Sequence, residues 1–218
     1  MYMVDEMSGP RVSYAHAARL PDGADPVALA DLHPGGWSGP IEIEIGPGRG
    51  GFLFERAASA PDALIIGFEI KRKWAHIVNE RLVKAKLHPR VQCLAENALV
   101  ALPRLVPDGT ARAVFLHFPD PWWKKRHEKR LVMGDVLLDQ VARLLTPDGA
   151  LFVQTDVEDR AIQYREQIEA HGAFGPRGDV EGSPVLVENP YEARSHREHR
   201  AIADGLPIHR MRFEKRGS

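Results

Sequence analysis

The chain has 218 residues, 44% of them hydrophobic and 27% charged, with a formal net charge of −1, as expected of one soluble globular domain. That length can bury a core without a disulfide or metal staple. The single cysteine, Cys93, excludes an intramolecular disulfide, fits a reducing cytoplasm, and reads as a small buried hydrophobe in a strand. No apolar run reaches membrane-spanning length, and residues 1–9 lack the charge and apolar pattern of a signal peptide, so a cytoplasmic protein with no membrane partner is expected. Positive residues concentrate at 124–130 and 194–216, and such patches can bind a polyanion even on a near-neutral protein.

Residues 1–39, rich in Gly, Pro, Ala and Asp, read as an arm with little regular structure, followed by one domain over 40–218. Ile41–Ile45 alternates apolar and acidic residues as a strand and breaks at the glycine-rich stretch 46–51. A helix is predicted over Phe52–Ala60, a buried strand over Ala63–Phe68 and a helix over Lys71–Lys86. A short strand at Arg90–Leu94, a helix over Ala98–Leu105 and a strongly apolar strand at Ala111–His117 continue the alternation. Apolar spacing then predicts a helix over Leu131–Leu145 ending before Pro147-Asp148-Gly149, a fifth strand over Ala150–Thr155 and a helix over Val157–His171. Strand and helix alternating in this way imply an α/β fold with a mainly parallel sheet and helices on both faces. After Gly172, Val185–Val187 and Ile208–Phe213 read as strands separated by a polar, His/Arg-rich stretch, which suits a closing hairpin and an antiparallel strand in the sheet.

Ligands of such a sheet bind at the carboxyl ends of the strands. The loop after the first strand carries Gly46, Gly48 and Gly51, the spacing of a dinucleotide fingerprint. It equally carries Gly46, Gly48 and Gly50, the spacing of an adenosylmethionine loop. Glu69, at the end of the second strand, stands where an acid accepts hydrogen bonds from ribose hydroxyls in either case. Glu44 favours adenosylmethionine: an acid there repels a pyrophosphate and suits a sulfonium and ammonium end, unless it only faces solvent from an alternating strand. Asn97 reads as a helix N-cap whose amide also suits contact with adenine.

The segment from Phe118 to Arg130 is the most specific in the chain. Pro119 and Pro121 fix the backbone on either side of Asp120, and Trp122, Trp123 and five Lys/Arg residues follow, opposed only by Glu128. A rigid acid, flat aromatic surface and dense positive charge at a strand end suit a nucleobase held beside its phosphates, although Asp between prolines also serves ordinary turns and a tryptophan often anchors a core. His196 and His199 lie three apart, but no Cys or carboxylate cluster completes a metal site, so they read as a solvated or RNA-facing surface.

Taken together, the 46–51 loop, Glu69 and Phe118-Pro119-Asp120-Pro121-Trp122 resemble the bacterial tRNA (guanine-N7-)-methyltransferases over roughly residues 40–216. Gln154-Thr155-Asp156 and Asn189-Pro190-Tyr191-Glu192 look like two further motifs of that family. The resemblance implies a Rossmann-like class I methyltransferase fold, S-adenosyl-L-methionine as donor, and a guanine at tRNA position 46 as acceptor, in a monomer or homodimer. It implies that Glu44, Gly46, Gly48, Gly50, Glu69 and Asn97 line the cofactor site and that Asp120 is the catalytic residue. It further implies that Lys124, Asp156, Asn189, Pro190, Tyr191 and Glu192 contact the substrate, and that Arg126, His127, Lys129 and Arg130 meet RNA. The family pattern has Asp where this chain has Asn97, and Thr-Lys where it has Asn189-Pro190. An NAD(P)-dependent oxidoreductase using Gly46, Gly48 and Gly51, and a noncatalytic RNA-binding protein on a methyltransferase fold, are the alternatives.

Overall fold

Strand β2 (Ile41–Ile45) is buried at all five positions, although two of them are glutamates. It lies inside an eight-stranded sheet, which a computed structural model describes for residues 14–119 and 132–217. Parallel neighbours flank it on both sides: β3 (Leu64–Phe68) and β6 (Ala111–His117). The remaining parallel strands are β4 (Val91–Leu94), beside β3, and β7 (Leu145–Thr155), beside β6. Beyond β7 the direction reverses. β10 (His209–Lys215) runs antiparallel to β7 and to β8 (Phe174–Pro176), giving the order β4-β3-β2-β6-β7-β10-β8, and β9 (Val185–Leu186) also pairs with β10.

The helices cover both faces. Ile41, Ile43 and Ile45 join a core with α3 (Ala98–Ala101), α4 (Asp135–Leu144) and α5 (Glu158–His171) through Leu137, Leu138, Tyr164 and Ile168. On the other face α1 (Gly51–Ser59) and α2 (Arg72–Lys84) bury Leu53, Ala57, Ala75, Val78 and Leu82 against β3 and β4. Phe52 of α1 instead meets Phe115 of β6 and Phe152 of β7 in a small aromatic cluster.

Several elements depart from the sequence expectation. The helix predicted over 98–105 stops at Ala101, because Pro103 tightens the next turn into a 3-10 helix (Leu102–Arg104) and Leu105–Val106 forms a short strand, β5. Helix α4 begins only at Asp135, after Gly134. Pro147-Asp148-Gly149 does not precede the fifth strand but lies within β7. There Ala111 pairs with Leu145 and Ala113 with Ala150, so the extra residues loop out, with Asp148 left-handed at φ 63°. In the polar, His/Arg-rich stretch between the two predicted C-terminal strands, His196–Ala203 forms a further helix, α6; with only Glu198 and Ala201 buried it shows no apolar stripe. Regular structure in the described part of the arm is confined to β1 (Val27–Ala28), paired with β5, and a 3-10 turn (Leu29–Leu32). The segment nonetheless packs closely: Ala17, Leu20 and Leu29 are buried, and Ala18 O accepts from Ala95 N–H at 2.7 Å.

Glu42 explains how a buried strand tolerates an acid. Its Oε1 accepts from Arg56 Nη2 at 2.8 Å and from Arg112 Nη2 at 2.7 Å, and its Oε2 accepts from Arg56 Nε at 2.8 Å. Arg56 also reaches Tyr191 O at 2.9 Å, which ties α1 to the C-terminal segment. Removing the acid leaves the largely buried Arg56 guanidinium without its ion-pair partner, while the more exposed Arg112 keeps Asp62. Glu42→Ala should therefore lower the unfolding free energy in urea by about 3 kcal/mol.

Candidate functional site

The carboxyl ends of β2, β3, β4, β6 and β7 open into one cavity of about 1050 Å³. Glu44, Gly46, Gly48, Glu69, Asn97 and Asp156 all line it, so six of the positions singled out in the sequence come together from five separate loops and strands. Phe118 and Pro119 form part of the same wall. Phe118 is left-handed (φ 45°), an uncommon conformation for an aromatic residue, and its N–H donates to Gln154 O at 2.8 Å. Asp120, Lys124, Arg126, His127, Lys129 and Arg130, together with Pro121, Trp122 and Trp123, lie outside the described residues.

The 46–51 loop is shaped by left-handed glycines: Gly46, Gly48 and Gly50 have φ of 72°, 55° and 77°. A Cβ on Gly46 would meet no atom within 4 Å, so the backbone there is open to a ligand. Gly50 is different. A Cβ would stand 2.8 Å from Val78 Cγ1, and the residue packs against α2 rather than lining the cavity. Gly51 lets the start of α6 approach, since a Cβ would lie 2.8 Å from His196 N.

Glu69 holds the loop: its Oε2 accepts from Gly48 N–H at 2.9 Å and its Oε1 from Lys71 N–H at 2.8 Å. Each oxygen retains a second lone pair for a hydroxyl. Asn97 Oδ1 accepts from Leu99 N–H at 3.1 Å, the N-cap expected of it. Its neighbour Glu96 binds the arm, accepting from Arg19 Nε at 3.1 Å and Leu20 N–H at 3.2 Å.

Glu44 does not face solvent. It is buried, and its Oε1 lies 2.8 Å from His117 Nδ1, while Glu44 Oε2 and His117 Nε2 are buried without a partner. Burial pushes the Glu44 carboxyl above its ordinary range. The His117 hydrogen bond and charge oppose that rise, and Glu69 adds to it. His117 was not singled out from the sequence, where it reads as the last residue of an apolar strand. It lies two residues beyond Phe115, which pairs with Glu44, so its place beside that acid shows only once β2 and β6 stand side by side.

Asn189, Pro190, Tyr191 and Glu192 do not line the cavity. Asn189 Nδ2 donates to Ala193 O at 2.9 Å and to Glu198 Oε2 at 3.1 Å, and its Oδ1 accepts from Tyr191 N–H. The Tyr191 ring meets Phe115 and Phe152 edge-on and lies under Arg56, and burial raises the pKa of its hydroxyl. Pro190 and Glu192 are exposed. The cavity instead receives Ser195, His196 and Arg197 from the start of α6, with Arg197 paired to Asp156. His199 pairs with Glu55, away from the cavity lining. No cluster that could hold a metal ion occurs among the described residues.

A parallel sheet with one antiparallel strand, a glycine loop and, beside Glu69, a buried carboxylate with one open oxygen define a class I adenosylmethionine-dependent methyltransferase. Solved structures share the fold: TrmN from Thermus thermophilus (TM-score 0.55, 16% identity, 86% of this chain and 46% of that one). Precorrin-6y C5,15-methyltransferase from Geobacter metallireducens is similar (TM-score 0.54, 18% identity, 83% and 81%). So is geranyl diphosphate C-methyltransferase from Streptomyces coelicolor, in complex with S-adenosyl-L-homocysteine (TM-score 0.52, 14% identity, 83% and 72%).

The sequence pattern of a family described as putative methyltransferase matches residues 38–211. Proteins named tRNA (guanine-N(7)-)-methyltransferase match most of the chain. That of Myxococcus xanthus is 34% identical over 83% of this chain and 85% of its own length, and that of Anaeromyxobacter dehalogenans 36% identical over 81% and 86%. The chain belongs to this methyltransferase family, and neither the oxidoreductase nor the noncatalytic alternative finds support.

A carboxyl whose folded pKa is raised favours the fold at low pH, and that contribution is lost as pH rises through the folded value. Ionised Glu44 is therefore a liability in the ligand-free protein. Glu44→Gln should melt no lower than the parent at neutral pH, with the difference shrinking as pH falls into the ordinary carboxylate range, while calorimetric binding of S-adenosyl-L-homocysteine drops at least about tenfold.

Proposed function

We propose that the protein methylates N7 of the guanine at position 46 of tRNA, with S-adenosyl-L-methionine as donor. The observation that carries the reading is Glu44 Oε2, a buried acceptor with no partner in a cavity that ends against Phe118 and Pro119. The donor supplies an activated methyl group on a sulfonium. Glu44 offers its open oxygen to the ammonium end, Glu69 offers acceptors to the ribose hydroxyls, Gly46 and Gly48 leave room for close approach, and Asn97 borders the adenine. Gly50 serves this site indirectly, by seating α1 on α2.

Guanine N7 is a lone pair with no proton to remove, so the protein has no strong base to provide. Its task is alignment, which in favourable cases lowers the barrier by roughly 7–11 kcal/mol. Asp120 follows Pro119 directly in sequence and is the group we assign to orient the purine through N1–H and the exocyclic amine and to balance the positive charge that develops on the ring. Asp156, at the end of β7 and held by Arg197, supplies a second acid, with Lys124 as a further substrate contact. Arg126, His127, Lys129 and Arg130 carry charge suited to RNA phosphates. The 189–192 segment supports the substrate side from behind, through Asn189 and Glu198, by holding the start of α6 at the cavity.

Purified protein given labelled S-adenosyl-L-methionine and an unmodified tRNA transcript should form 7-methylguanosine at position 46, mapped by cleavage at the modified base. Methyl transfer to protein alone, or to another nucleotide, would reject the substrate. Asp120→Ala should reduce turnover at least about 100-fold with S-adenosyl-L-homocysteine affinity unchanged.

A further inference from the structure

His117 and Glu44 are enclosed polar side chains of the cavity wall, 2% and 1% exposed, and they face each other from β6 and β2. The imidazole has almost no freedom. Its centroid lies 4.3 Å from that of Phe52, 5.8 Å from that of Phe115 in a near-parallel stack, and 5.8 Å from that of Phe152. Two acceptors cannot meet at 2.8 Å without a shared proton, so opposite an ionised carboxylate the imidazole carries its proton on Nδ1 and donates to Glu44 Oε1. That bond uses one oxygen and leaves Oε2 as the open acceptor of a carboxylate held at Oε1.

We propose that His117 is a positioning residue for the donor's ammonium group: it holds the Glu44 carboxylate by Oε1, so that Oε2 receives the ammonium. This rests on the reading of the cavity as the adenosylmethionine site. A role confined to Glu44 has a chemical signature, because only the amino-acid half of the donor carries an ammonium. The adenine and ribose meet Asn97 and Glu69, which His117 does not touch. Loss of His117 therefore weakens ligands that have the amino-acid half and spares those that lack it, whereas a general disturbance of the wall weakens both.

Isothermal titration of the full chain with S-adenosyl-L-homocysteine and with 5′-methylthioadenosine, which lacks the amino-acid half, separates these cases. His117→Leu should weaken the first about 10- to 100-fold and leave the second within about twofold. His117→Asn, which keeps an N–H donor near the Nδ1 position, should recover to within about threefold of the parent, and His117→Leu should cost nothing further in a Glu44→Gln background. Equal weakening of both ligands by His117→Leu, unchanged binding of both, or no recovery in a folded His117→Asn variant would overturn the role. A parent protein that binds neither ligand would instead overturn the donor reading itself, and the role with it.

Discussion

Strand β2 must bury two carboxylates on one face of a sheet that is covered on both sides, and much of the molecule follows from how that is managed. Glu42 and Glu44 are two residues apart and so point the same way. Glu42 is met by two arginines that saturate it, and the same arginines bind α1, β6 and the C-terminal segment together. Glu44 is met by one imidazole only, which leaves an oxygen unpaired. A buried polar atom without a partner costs free energy comparable to a lost hydrogen bond, and a ligand that supplies the partner recovers it. One acid is thus structural and the other belongs to the site, and satisfaction rather than residue type separates them.

A second buried acid organises the far side of the cavity. Glu198 is fully enclosed and accepts from Gln154 on β7, Asn189 and Arg210 on β10. These bonds draw α6 against the carboxyl end of the parallel sheet, where Gly51 permits backbone contact, and place Ser195, His196 and Arg197 in the cavity wall. The change from Thr-Lys to Asn189-Pro190 reads differently in this light. Asn189 spends its amide on the hub and on the turn into Tyr191, and its neighbours stay out of the cavity. In the structure the motif lies just before α6 and is bonded to it through Asn189 and Glu198.

Much of the parallel half was legible because β3 and β6 are apolar runs, a pattern that fully buried strands show strongly, and β2 alternates cleanly before its glycines. Elements whose burial is polar were not. Helix α6 covers the sheet with a glutamate and an alanine, so no apolar stripe announces it. The loop inside β7 looks like a terminator in sequence, since Pro, Asp and Gly break strands unless a neighbouring strand offers a register shift to absorb them. His117 escaped notice because nothing in a single strand shows what stands opposite it.

By itself the sequence determined the alternating α/β order, the glycine loop with its two acids, and the Pro-Asp-Pro-Trp segment that points to a base beside phosphates. These are local signals: periodicity, turn chemistry and short spacings that the chain carries wherever it folds. Only the tertiary structure decided which glutamate of β2 is neutralised, that Gly50 packs while Gly46 opens to a ligand, and that His117 and Arg197 join the wall. Those outcomes depend on partners 14 to 73 residues away in sequence. A side chain's charge and reach are written in the chain, but whether it meets a partner is settled only when distant strands come side by side.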